Sequence, residues 1–143
     1  MPWYLLAFGS AIVWGLHYVI LSNAFKYVSP QTALLLTTIV PSMVVFGIWY
    51  NQVTTDLQNI MAMDLKQSLP IFALFFSSTI GTLLLYHAII GKTAVHAAMI
   101  EITYPIFVAI FSVIFLVGHT ITTGTIIGGI IILCGAWVVI WTN

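Results

Sequence analysis

Charge is what this sequence has least of. Arginine is absent, lysine occurs three times (Lys26, Lys66, Lys92), and Asp56, Asp64 and Glu101 are the only acids, so 4% of the 143 residues are charged. A soluble domain carries about a quarter, because its surface must face water. Six charges cannot solvate a globule of this size. The lack of a basic patch excludes a nucleic-acid footprint. The single Cys134 excludes an internal disulfide and a cysteine-based metal knuckle. No phosphate-cradling glycine loop and no Ser-His-Asp or Cys-His spacing falls on a loop, so neither enzyme chemistry nor a cofactor is implied.

What is abundant is apolar: 62% of residues are hydrophobic and the mean hydropathy is +1.16. The chain is read as an all-α, multi-pass integral membrane protein, expected in the cell or cytoplasmic membrane. Ser22-Asn23-Ala24 loosely fits a signal cleavage site, but the first cation, Lys26, follows the apolar run, so the segment is read as a retained helix.

A bilayer core of ~30 Å takes ~20 helical residues per crossing. Polar punctuation divides the chain into five runs of that length, about 3–25, 30–50, 69–90, 93–117 and 122–141, within one domain spanning 1–143. Ser29-Pro30 opens the second run as a cap followed by a first-turn proline, and Thr93 caps the fourth. Gly118-His119-Thr120 makes a tight turn before the fifth. Trp3, Tyr4, Trp49, Tyr50, Trp137 and Trp141 lie near run ends, as interfacial aromatics do. Short connections force neighbouring spans to be antiparallel. The long polar stretch, 51–68, fits either a loop or a short helix in the interface; Thr55 with Gln58 forms a possible capping box there.

Five crossings put the termini on opposite sides. Lys26 and Lys92 then lie opposite Lys66 and the terminal amine, so the positive-inside rule gives almost no orientation. Insertion in both orientations is the resulting expectation.

Glu101 lies eight residues past Thr93, ~12 Å into the bilayer at the helical rise. A carboxyl group at that depth faces a cavity or the bundle interior. Pro105, four residues on, has no N–H for the Glu101 carbonyl and kinks the helix. Ser10, Trp14, His17, Tyr18 and Leu21 share one face of the first span, a candidate cavity wall with Tyr104 as a further lining residue. The candidate substrate or proton site is therefore Glu101, His17, Trp14, Tyr18 and Tyr104. His17, His87, His96 and Glu101 suit zinc by ligand type, but His96 and Glu101 are five apart, a poor same-face pair, and no metal site is expected. Pro41 frees the Thr37 carbonyl in mid-span, either lining a cavity or making a static kink backed by the Thr37 and Thr38 hydroxyls. Gly124, Gly128 and Gly135 lie on nearly one face of the last span, for helix packing or a dimer seam.

Taken in order, Trp14-Gly15, Gly81, Tyr86, Ala88, Ala94, Ala97, Ala98, Pro105, Gly118, Gly128, Ile131 to Leu133 and Gly135 resemble the drug/metabolite transporter superfamily, specifically one EamA-type five-helix repeat, over nearly the whole chain. Lys26 looks like a displaced version of that family's early lysine. The resemblance implies a secondary transporter of small metabolites, amino acids or drugs. Such proteins mostly hold two inverted repeats, so it implies pairing with an antiparallel copy, either of itself or of a sister subunit, and a substrate site near the midplane. The sequence departs from the family at three points. Gln31 to Thr38 lacks the usual arginine, Gly118-His119 replaces an acid, and Glu101 stands where a small or apolar residue is usual. The short multidrug exporters carry a glutamate in span one, where this chain has Trp14-Gly15, so proton coupling would move to Glu101 or His17. Alternative readings are a lipid or lipid-precursor flippase subunit and a non-transporting subunit of a larger membrane complex.

Overall fold

A computed structural model describes residues 2–115 and 121–142; the expected turn at Gly118-His119-Thr120 and the end of the fourth run lie outside them. Among the described residues there are seven helices and no strand: α1 (Trp3–Ala24), α2 (Pro30–Ile48), α3 (Tyr50–Ala62), α4 (Leu65–Gly91), α5 (Ala94–Glu101), α6 (Tyr104–Phe115) and α7 (Thr123–Trp141). Five stretches are long and apolar enough to cross a membrane: α1, α2, α4, α5 with α6, and α7. The all-helical integral-membrane architecture expected from the composition is the one observed.

The caps follow the chemistry of the sequence. Ser29 Oγ accepts from the Thr32 amide with Pro30 in the first turn, Thr93 Oγ1 accepts from the His96 amide, and Thr122 Oγ1 accepts from the Thr125 amide. Two boundaries differ from the sequence reading. The polar stretch is a helix from Tyr50, and Thr55 lies inside it, its hydroxyl donating to the Asn51 carbonyl rather than capping. α4 begins four residues before 69, because Asp64 Oδ1 accepts from the Gln67 amide. Asp64-x-x-Gln67 is the real capping signal, and it carries helix into the polar segment.

Pro41 does not break α2, which runs unbroken from Pro30 to Ile48. The neighbouring hydroxyls do not reach the freed Thr37 carbonyl. They bond one turn back: Thr37 Oγ1 lies 2.9 Å from the Ala33 carbonyl, Thr38 Oγ1 2.7 Å from that of Leu34, and Ser42 Oγ 2.6 Å from that of Thr38.

The described residues fall into two compact units, one drawn from Met1–Val19 and Ala88–Asn143, the other Ile20–His87. In the second, the Tyr86 ring is buried (3% exposed), packs edge-on against Phe25 at 5.4 Å, and places its hydroxyl 3.1 Å from Thr37 Oγ1. Because Thr37 donates its proton backwards, Tyr86 is the donor in this link between α4 and α2. Tyr86→Phe keeps the ring and loses the bond, and should cost about 0.6 kcal/mol, the average for such bonds in membranes. Tyr86→Ala should cost about 3–5 kcal/mol by emptying a buried aromatic site. Unfolding titrations in mixed micelles would measure both. Equal losses for the two variants would show that the hydroxyl, not the ring, does the holding.

In the first unit α7 packs on α5 and α6. Ala94, Ala97 and Ala136 are buried there, so small side chains mark the helix contacts. A Cβ placed on Gly129 would meet Ile106 Cγ1 at 3.4 Å, whereas Gly128 and Gly135 have open space beyond them and Gly124 meets only its own cap, Thr122. The close approach inside the chain is thus at Gly129, next to the stripe of Gly124, Gly128 and Gly135.

Candidate functional site

The break in the fourth span organises the site. α5 ends at Glu101, Ile102 and Thr103 form a turn, and α6 restarts at Tyr104. Pro105 is the cause: it offers no N–H to the Glu101 carbonyl, and its ring crowds the preceding turn. The Ile102 amide still bonds the Ala98 carbonyl at 3.0 Å, Thr103 turns back to Ile100 at 3.1 Å, and Ile106 bonds Thr103 at 3.0 Å. The span is therefore two half-helices with a carboxyl group at the end of the first. Discontinuous helices of this kind are tolerated in a membrane where they line a cavity, and transporters use the freed polar groups for ions and substrates.

Across from the break, Tyr18 of α1 donates its hydroxyl to Glu101 Oε2 at 2.6 Å. The two residues are 83 apart in sequence, and both are half-buried. At that length the contact is at the short end of the range for an O–H···O hydrogen bond. One turn back on α1, Trp14 stands edge-on to His17 at 5.2 Å and tilted against Tyr18 at 5.9 Å, with His17 and Tyr18 at 6.2 Å. Three rings thus adjoin one another on α1, and the Tyr18 hydroxyl joins them to the carboxyl group, all within the first unit. Trp14 is 54% exposed, leaving part of its ring open to a further group.

Four of the five residues predicted for the site come together in this way. The fifth, Tyr104, opens α6 three residues beyond Glu101 and is 59% exposed, and the bond to the carboxyl group comes from Tyr18. His87 and His96 are engaged locally, Nδ1 of His87 lying 2.7 Å from the Leu83 carbonyl and that of His96 2.6 Å from Thr93 Oγ1. Among the described residues no three His, Cys, Asp or Glu side chains gather as a metal site would require. A cavity of about 210 Å³ lies elsewhere in the same unit, walled by Pro105, Val108, Ser112 and Thr125, and Glu101 is not among its lining residues.

The sequence reading missed the Thr103 turn, which completes the break. The signal for it was Pro105, whose missing N–H and ring crowding fall on the preceding turn, with β-branched Ile102 and Thr103 lowering helix propensity there.

The arrangement suits a small molecule better than a polyanion. Glu101 is the one formally charged side chain more than a turn inside any of the five spans, and no lysine or arginine lies as deep in them to meet a phosphate or a second carboxylate. A carboxyl group and a partly exposed aromatic ring are the kinds of group that can contact a neutral or singly cationic solute.

Residues 1–141 match the model of the EamA-like transporter family. Comparison with curated proteins and with solved structures finds no match. The match covers nearly all of the chain, and the protein belongs to the EamA-like transporter family.

Proposed function

We propose that this transporter is a secondary carrier of small neutral or singly cationic molecules, such as metabolites, amino acids or drugs, operating by alternating access as two oppositely oriented copies. Glu101 is its proton-binding group. The observation that carries the reading is the 2.6 Å bond from Tyr18 to the Glu101 carboxyl group at the break in the fourth span. A membrane-embedded acid is costly, and it is kept where it binds, relays or balances charge. Trp14, His17 and Tyr18 form the substrate-facing wall, and Tyr104 joins it from the start of α6.

Pairing with an inverted copy is supported by two features. The lysines are divided between the two sides, which leaves orientation unbiased. In the stripe of Gly124, Gly128 and Gly135, the last two also have open space beyond them, and small residues of this kind let a facing helix approach closely. The partner is a second copy of this chain or a sister subunit of opposite orientation.

Topology tests the pairing directly. With Cys134→Ser and a new cysteine at Thr142, an impermeant thiol reagent applied to intact cells should label about half of the protein, and all of it after permeabilisation. Labelling wholly from one side would sink the self-paired carrier and require an oppositely oriented sister subunit. Reconstituted protein should couple a pH gradient to the flux of a member of a panel of neutral and singly cationic amines and amino acids. Lack of flux for the whole panel would overturn the carrier reading.

A further inference from the structure

The connector between the second and third spans is not explained by the carrier site, and it carries an inference independent of that site. α3 is 13 residues long, ~20 Å at the helical rise, too short to cross a ~30 Å core. It is bound at both ends to helices that do cross. Trp49 alone separates it from α2, with φ −113° and ψ 34° turning the chain out of the helix, and Met63 and Asp64 separate it from α4, Met63 being extended at φ −72° and ψ 149°. Both ends of α3 are therefore held at the same membrane surface. The corner at α2 is fixed by aromatic contact, Phe46 lying edge-on to Tyr50 at 5.2 Å and 87°. Trp49 and Tyr50 are the side chains that favour the headgroup level.

The sequence of α3 is divided by face. At 100° per residue, Tyr50, Val53, Leu57, Ile60 and Met61 fall within an arc of about 100°, and Asn51, Gln52, Thr55, Gln58 and Asn59 lie outside it. Part of the apolar stripe, Val53 and Ile60, is half-buried, while Leu57 (48% exposed) and Met61 (78%) are not covered by the chain. α3 carries one acid, Asp56, and no lysine or arginine, so attraction to anionic lipid cannot hold it. Surface-seeking helices that bind from solution use basic residues for that purpose. Here the flanking spans supply the attachment covalently, and burial of the apolar stripe is sufficient.

We propose that α3 lies in the plane of the bilayer that the spans cross, with Leu57 and Met61 sunk into the boundary between headgroups and acyl chains, on a surface matched to zwitterionic lipid. It is a membrane-bound strut between the ends of α2 and α4, not a solvent loop and not a docking site for another protein.

Nitroxide scanning tests this in the full chain carrying Cys134→Ser, reconstituted in phosphatidylcholine vesicles, with single labels at Gln52, Val53, Asp56, Leu57, Asn59, Ile60 and Met61. The ratio of collisions with oxygen, which concentrates in lipid, to collisions with a water-soluble nickel chelate should be several-fold higher at Leu57 and Met61 than at Gln52, Asp56 and Asn59. It should rise and fall with a helical period. Replacing a third of the lipid by phosphatidylglycerol should leave the profile unchanged. Nickel access at every position would overturn the proposal in favour of a solvent-borne helix. Labels at Leu57 and Met61 shielded from both reagents would overturn it in favour of a covering protein, and a profile that appears only with anionic lipid would refute the neutral matching.

Discussion

Glu101→Gln is expected to abolish pH-gradient-driven transport while leaving insertion and pairing intact. Glutamine keeps the size of the side chain and can still accept the Tyr18 hydroxyl bond, which spans 2.6 Å in the wild type, so α1 and the end of α5 should stay in register. What it loses is the exchangeable proton. Positioned proton-transfer groups contribute about 100-fold to 10,000-fold. No other acid lies inside the spans to replace this one, so a loss of at least about 100-fold is the expected size, read as flux in proteoliposomes with an imposed pH gradient. Tyr18→Phe separates titration from positioning. It keeps the carboxyl group and removes its donor, so transport should slow by several-fold and still respond to the gradient. If Glu101→Gln transports at the wild-type rate, the carboxyl group is only a packing residue and proton coupling through it is refuted.

How far the sequence determined this outcome differs from element to element. The spans, the Ser29 and Thr93 caps and the location of the fourth-span break were all legible, since each rests on local chemistry: apolar length, a hydroxyl before a helix, a proline without N–H. The start of α4 was equally local, written in Asp64-x-x-Gln67, and was passed over because the third run was begun at the first continuous apolar residues, at 69. The Tyr18–Glu101 bond is different in kind. Each residue could be singled out, one by its depth and the other by its stripe, but a contact across 83 residues depends on which face each helix turns inward. In lipid that orientation is poorly written, because the outward face of a span is as apolar as the inward one and the periodicity that marks a buried face in water disappears.

The glycines of α7 show the same limit and give the second large expected effect. Gly124, Gly128 and Gly135 were picked out because three small residues share a face, yet it is Gly129, on the adjoining face, that lies against Ile106. Gly129→Leu should therefore destabilise the chain itself. Its Cβ would sit 3.4 Å from Ile106 Cγ1, and the remaining three carbons have to displace that side chain or push α7 from α6. Overpacking of this kind costs about 1–3 kcal/mol, and the unfolding midpoint in mixed micelles should fall accordingly. Gly128→Leu, one residue away, adds the same atoms into open space and should leave that midpoint unchanged. Its cost should appear in assembly, as a fall of about tenfold or more in the paired fraction measured by crosslinking or single-molecule photobleaching in vesicles, because a leucine keeps a facing backbone from approaching. The two neighbours thus divide the alternatives. Loss of pairing with retained stability at Gly128 places the seam on the open glycine stripe. Normal pairing in Gly128→Leu would move the seam to another face of the chain and leave the stripe facing lipid.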